Sequence, residues 1–196
     1  SQAKLVFDTV DLHYLRERRG ADVAQDAVLA RAAERTRALE LAMIAQADIT
    51  LVVSDIEREL LRNDAPNAKV DVLSNLHRIA GPGASFAERR DVVFVGGFRH
   101  PPNVDAVRWF VGDIWPRVHA RLPDAHFHCI GGDVTPEIAA LAAQPGVRIH
   151  GHVADIDPYM HGARIAVAPL RYGAGVKGKV NRSEERRVGK ECSLPC

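Results

Sequence analysis

The chain has 196 residues, 46% of them hydrophobic, with 26 Lys and Arg against 25 Asp and Glu for a formal net charge of +1. That length builds one or two small domains with a core of their own, and the charge balance leaves no basic footprint for nucleic acid. No apolar stretch approaches the roughly 20 residues that cross a bilayer. The 3 cysteines give no disulfide framework, and Cys129 lies in an apolar run, which fits a reducing, cytoplasmic setting. Ser1–Lys4 leads straight into a strand-like run with neither a signal peptide nor an initiator Met, so the chain reads as cut at its front.

Leu5–Phe7 reads as a short buried strand ending at Asp8. From about Ala21 to Ala47 the abundance of Ala, Leu, Glu and Arg predicts one long helix. Ile49–Val53 is a β-branched run and predicts a strand. Ser54 and Glu57 then have the spacing of a capping box, opening a helix to about Arg62. Lys69–Leu73 is a further strand, and Ala80–Ser85, small and turn-forming, is the best linker in the chain. Beyond it Val92–Val95 is a strand. Val107, Phe110, Val111, Ile114 and Val118 form the apolar stripe of a helix that Pro116 bends and Asn103 is expected to cap. Ala125–Ile130 and Val147–His150 read as strands around a helix at Pro136–Ala143 capped by Thr135. A short helix near Asp157–His161 leads to a last strand, Arg164–Ala168. Strands separated by helices of this length imply parallel βαβ units. The expected fold is α/β: the end of one Rossmann-like lobe over residues 1–78, a linker over 79–90, and most of a second Rossmann-like lobe over 91–181.

Two glycine-bearing loops, each following an apolar strand, carry the functional signal. The first is Val95-Gly96-Gly97-Phe98-Arg99-His100; the second is Ala168-Pro169-Leu170-Arg171-Tyr172-Gly173-Ala174-Gly175-Val176-Lys177-Gly178-Lys179. A strand that ends in glycine lets the backbone come close to a ligand, and N–H groups beside Arg or Lys suit an anionic one. Together they point to a phosphate-bearing small molecule. Gly96, Gly97, Arg99 and His100 stand at the carboxyl end of a strand, where doubly wound folds bind ligands.

The run Val95–Ala106, followed by Ile114-Trp115-Pro116 and then Ala168–Val180, resembles the group 1 (family 4-like) glycosyltransferases of the GT-B fold. Phe7-Asp8-Thr9-Val10-Asp11-Leu12-His13 is similar to the end of that family's acceptor lobe, so the resemblance covers roughly Val6 to Asn181. It implies a GT-B-like pair of lobes with a cleft between them, the acceptor lobe ending at 78 and the donor lobe running over 91–181. It implies a nucleotide-sugar donor as substrate, a glycan or lipid-linked acceptor, no cofactor and no catalytic metal, with peripheral contact at the inner membrane face left open. Under the resemblance Gly173 and Gly175 join the first loop as donor-binding residues. Gly151-His152-Val153 resembles the turn that meets the nucleotide base through its backbone. Lys177 and Lys179 fall where the family meets the donor sugar and phosphates; a fixed ammonium there stabilises a departing diphosphate more in the transition state than in the ground state. Surface lysines without a role are the alternative. His13 would hydrogen-bond the donor sugar or the acceptor, with Asp8 and Asp11 as alternatives. Arg171-Tyr172 stands where many members carry the first acid of a Glu-x7-Glu pair.

The resemblance stops at Asn181. Arg182–Cys192 reads codon for codon like translated short-read sequencing-adapter DNA, and residues 182–196 are expected to be foreign to the family, the Cys192/Cys196 pair included.

Asp155-Ile156-Asp157 mimics a manganese-binding Asp-x-Asp but precedes a short helix, where Asp caps well. His126/His128 and His150/His152 have the spacing that puts both rings of a pair on one strand face, without a third ligand for zinc. The expected function is transfer of a hexose from a nucleotide sugar, with retention. The alternatives are a non-catalytic nucleotide- or sugar-binding module and a GT-B-like epimerase or phosphorylase.

Overall fold

The computed structural model describes residues 3–76 and 84–175. Lys177, Lys179 and the stretch 182–196 lie outside the described residues, as does the linker up to Gly83. The described residues form two compact units, 3–76 with 171–175, and 84–170.

The first unit holds three parallel strands in the order β1 (Val6–Asp8), β2 (Ile49–Val52), β3 (Val70–Val72). Between β1 and β2 the long helix expected over 21–47 is two: α1 (His13–Ala24) and α2 (Ala27–Gln46). Gln25 takes the left-handed conformation at φ 51°, and Asp26 then caps α2, its carboxylate accepting from Val28 and Leu29 N–H at 2.7 and 3.2 Å. Helix propensity was uniform across the break; a short Asp side chain that satisfies two orphan N–H groups decided it. Ser54 caps α3 (Asp55–Asp64), its hydroxyl accepting from Glu57 N–H at 3.3 Å. The core packs Leu12, Tyr14, Ile44, Val52 and Leu61 between sheet and helices. Tyr14 hydroxyl donates to Asp64 at 2.7 Å, and Arg37 pairs with the other oxygen at 2.6 Å. Burial, then the Asp64 contact, pushes the Tyr14 hydroxyl well above its ordinary value. Burial works to raise Asp64, but the Tyr14 and Arg37 hydrogen bonds prevail and hold it below the usual carboxylate range.

The second unit is a four-stranded parallel sheet in the order β6-β5-β4-β7, with β4 (Asp91–Val95), β5 (Phe127–Ile130), β6 (Val147–Gly151) and β7 (Ala163–Ala166). Alternation along β4 sends Val92 and Phe94 to one face and Val93 and Val95 to the other. The first face packs on Val107, Trp115 and Ile138 from α4 (Pro101–Trp109), α5 (Trp115–His119) and α6 (Pro136–Ala140), and on Phe110 between α4 and α5. The second packs on Met160 of α7 (Asp157–Gly162). Both faces are covered, as a parallel sheet requires. The apolar stripe expected from 107 to 118 is buried at Val107, Phe110 and Val111 and half-buried at Ile114 and Val118. The helix does not simply bend: residues Phe110–Ile114 widen to π geometry, Trp115 N–H bonding to Phe110 O. Pro116 has no N–H and its ring crowds the carbonyl four residues back, so the turn before it opens. Thr135 caps α6 as expected, accepting from Ile138 N–H at 3.3 Å.

Candidate functional site

In the second unit the strands run outward from β4 through β5 to β6, and the chain then returns to lay β7 on the other side of β4. The order reverses at β4. In open parallel sheets the crevice outside the carboxyl ends at such a reversal is where ligands bind. The loop Gly96–His100 leaves β4 at that point. Gly96 N–H donates to Ile130 O at 2.9 Å and Phe98 N–H to Gly132 O at 3.0 Å, which lays the loop along the one after β5. Gly131 N–H in turn donates to Gly151 O at 2.9 Å, drawing in the turn after β6, where Gly151 holds φ 68°. A Cβ on Gly97 would meet open space. Among the described residues neither the Gly97 nor the Arg99 N–H donates to a protein acceptor.

Asn103, expected to cap α4, lies inside the helix, where His100 is the N-cap. Its side chain is buried and reaches back, Nδ2 donating to Gly97 O at 2.8 Å. A Cβ on Gly96 would lie 2.8 Å from that Asn103 side chain. Asn103 therefore holds the glycine loop in place. Pro101 and Pro102 occupy the first two helical positions and have no N–H, so the loop amides rather than the helix end are the donors on offer. Arg99 is 86% exposed and pairs with Asp133 Oδ1 at 2.9 Å. Such a surface pair is worth about 0–1 kcal/mol, so an incoming anion can take Arg99 from it at small cost. His152 is exposed and Val153 packs against the α7 face.

The histidine pairs behave differently. His126 and His128 share a face and both meet Asp91: His126 N–H donates to Oδ1 at 2.9 Å, and His128 Nε2 lies 3.1 Å from Oδ2. His128 stacks on His150 with ring centroids 5.1 Å apart, and its Nδ1 is 2.9 Å from His150 Nε2. Burial, then the neighbouring His128 and Arg148, lowers the His150 pKa. Burial works to raise Asp91, but its hydrogen bonds from His126 and His128 hold it below the usual carboxylate range. No group of three or more metal-binding side chains occurs among the described residues. Neither Asp caps α7, whose N-cap is Ile156 without a side-chain cap bond; Asp155 Oδ1 accepts from Asp157 N–H at 2.9 Å in a turn just ahead of the helix.

In the first unit His13 opens α1, just past the carboxyl end of β1. Two buried carboxylates organise this corner: Glu40, which no sequence signal marks, and Glu57, expected only as the acid of the capping box. Glu40, 6% exposed on α2, accepts from His13 and Tyr14 N–H at 3.1 and 2.9 Å and faces His13 Nδ1 at 3.1 Å. Glu57, 2% exposed, accepts from Leu12, Val53 and Gly175 N–H at 3.2, 3.4 and 2.9 Å. The capping box is thus half formed: Glu57 reaches Val53 N–H and not that of Ser54. Asp11 pairs with Arg16, and Asp8 accepts from Val10 N–H at 3.1 Å. Gly173 accepts from Arg19 at 2.6 Å through its carbonyl, and Tyr172 lies against Gly20. Gly175 holds φ 69°, and a Cβ there would lie 3.0 Å from Asp11 Cβ. Val10, a β-branched residue, is also left-handed at φ 59°.

A family profile described as glycosyl transferases group 1 matches residues 89–183. Just under half of the chain is therefore similar to the group 1 glycosyltransferases. The fold agrees. The Staphylococcus aureus TarM G117R mutant, in complex with fondaparinux, alpha-GlcNAc-glycerol and UDP, superposes with TM-score 0.64 at 15% identity, over 78% of this chain and 31% of that one. Sucrose-phosphate synthase from Thermosynechococcus elongatus gives 0.62 at 17% identity, over 85% and 44%. Anabaena Alr3699/HepE, in complex with UDP and glucose, gives 0.59 at 11% identity, over 86% and 55%. These neighbours share the GT-B fold, and the chain spans between about a third and just over half of their lengths. No curated protein sequence matches the chain. Among the described residues no helix is long and apolar enough to cross a membrane.

Proposed function

We propose that the chain is part of an enzyme that transfers a hexose, with retention, from a nucleotide sugar to a glycan or lipid-linked acceptor. The loop Gly96–His100 carries this reading: it stands at the reversal of the sheet order, offers two N–H groups beside Arg99, and lies inside the segment similar to the group 1 glycosyltransferases. Arg99, His100 and the Gly97 amide bind the diphosphate, and Gly96, its own N–H held by Ile130 O, keeps the loop closed over Asn103. Gly151, His152 and Val153 border the nucleotide base, their turn being tied to the same loops through Gly131. Gly173 and Gly175 complete the donor contacts. Lys177 and Lys179 stabilise the charge that builds on the leaving diphosphate, an interaction stronger in the transition state than in the ground state. His13 bonds a hydroxyl of the donor sugar or acceptor. The nucleotide sugar is the substrate and no cofactor takes part. The enzyme works in the cytoplasm, with peripheral contact at the inner membrane face compatible with a lipid-linked acceptor.

Calorimetry separates this from a sugar-binding module. UDP, GDP and ADP are titrated into the chain beside glucose, mannose and free uridine. Heat from at least one diphosphate, and none from the free sugars, supports nucleotide-sugar transfer; heat from the sugars alone contradicts it.

A further inference from the structure

Glu40 is buried, yet three nitrogens converge on its carboxylate, the backbone N–H groups of His13 and Tyr14 and the His13 ring Nδ1. Two are backbone amides, which can only donate, so the oxygens facing them are acceptors. Oε1 accepts from His13 N–H at 3.1 Å and also faces His13 Nδ1 at 3.1 Å. Asp11 Oδ1 stands 3.5 Å from the same nitrogen, on a carboxylate already occupied as an acceptor by Arg16. An unprotonated Nδ1 would set its lone pair against two acceptors. Nδ1 therefore carries the proton, and the neutral ring keeps its lone pair on Nε2. The His13 side chain is 47% exposed.

We propose that Glu40 is the positioning residue for His13: it holds the Nδ1 proton and so presents Nε2 as a hydrogen-bond acceptor for a sugar hydroxyl. A hydroxyl can donate to that lone pair, whereas an ionised diphosphate oxygen has no proton to give, and the Glu40 and Asp11 carboxylates repel it. The identity of the hydroxyl rests on the glycosyl-transfer reading; the tautomer does not.

The test is a long-range 1H–15N correlation spectrum of the histidine rings in the full 15N-labelled chain. Wild type shows His13 with Nδ1 protonated and Nε2 bare; a dominant Nε2–H form overturns the proposal without any variant. In Glu40→Gln, with folding checked on the backbone amide spectrum, the ratio of Nδ1–H to Nε2–H falls roughly tenfold, the margin of a charge-assisted hydrogen bond over a neutral one. An unchanged ratio in the folded variant also overturns it; if the variant does not fold, the wild-type tautomer decides. Addition of UDP-glucose moves the Nε2 signal and UDP does not. Equal movement with UDP overturns the hydroxyl assignment. Binding of neither probe counts against glycosyl transfer, while the tautomer result still decides the role of Glu40.

Discussion

Gly131 lies so close to Gly96 that a Cβ built on it would be 2.1 Å from the Gly96 carbonyl oxygen. The clash is with backbone and no side chain can swing away to relieve it. Gly131→Ala is expected to force the loops after β4 and β5 apart and to destabilise the chain by about 2 kcal/mol or more. Denaturant unfolding measures it. Gly97→Ala, where a Cβ meets open space, is the control and should change stability by less than about 1 kcal/mol.

Asp133 competes for Arg99. The Arg99–Asp133 pair is exposed, so losing it changes stability little, within about 0–1 kcal/mol. Asp133→Asn keeps a residue that tolerates the left-handed φ of 59° and removes the negative charge beside the expected diphosphate. UDP affinity should rise severalfold at low salt, and the gain should shrink as salt is added.

Val10 is a strained residue with an exposed side chain, held left-handed by contacts of the two residues before it. Asp8 accepts from its N–H, and Thr9 hydroxyl donates to Leu51 O at 3.1 Å. Val10→Gly removes the Cβ conflict and loses little packing, but enlarges the unfolded ensemble. The net expectation is a stabilisation of about 0.5–1 kcal/mol, read from the unfolding midpoint. A loss of stability would mean that the Val10 side chain makes a contact its exposure does not suggest.

The His150 pKa is lowered in the folded state, so between that value and the ordinary 6.5 the unfolded chain binds more protons than the folded one. Stability is therefore greatest above about 6.5 and falls as the pH drops through that window. The groups facing the ring are His128 and Arg148, with Tyr159 packed at 4.7 Å between centroids and Asp91 and His126 behind His128. His150→Gln should flatten the fall. The contribution of Asp91 has the opposite origin, a lowered carboxyl, and its stability is lost only at lower pH, in the carboxylate range. Urea midpoints across the pH range separate the two.

The sequence carried the strands and two caps because those signals are local. β-branched runs name β2 and β4, and Ser54 and Thr135 each serve the N–H three residues on. The reversal at β4 followed from alternating strands and helices only as a class of fold; which side β7 takes needed the structure. Glu40 was hidden because a carboxylate in a helix reads as a solvated face and its partners lie 26 and 27 residues away. Glu57 was legible as the acid of a capping box but not as the acceptor for Leu12 and Gly175, 45 and 118 residues away. Gly131-Gly132 carries the same sequence signal as Gly96-Gly97, a glycine pair after an apolar strand. Asn103 read as a cap because it precedes the apolar stripe, but the two prolines let the helix start earlier, leaving Asn103 free to hold Gly97.

On the proposed function, the loop Gly96–His100 holds a nucleoside diphosphate with Arg99 as its charged contact. Isothermal titration of UDP into the chain and into Arg99→Ala, in the same buffer at low salt, tests it most directly. UDP should bind the parent chain and lose about 1–3 kcal/mol of affinity in the variant, the worth of a charge-assisted hydrogen bond. Binding of equal strength to both proteins would contradict it, by taking Arg99 out of the site.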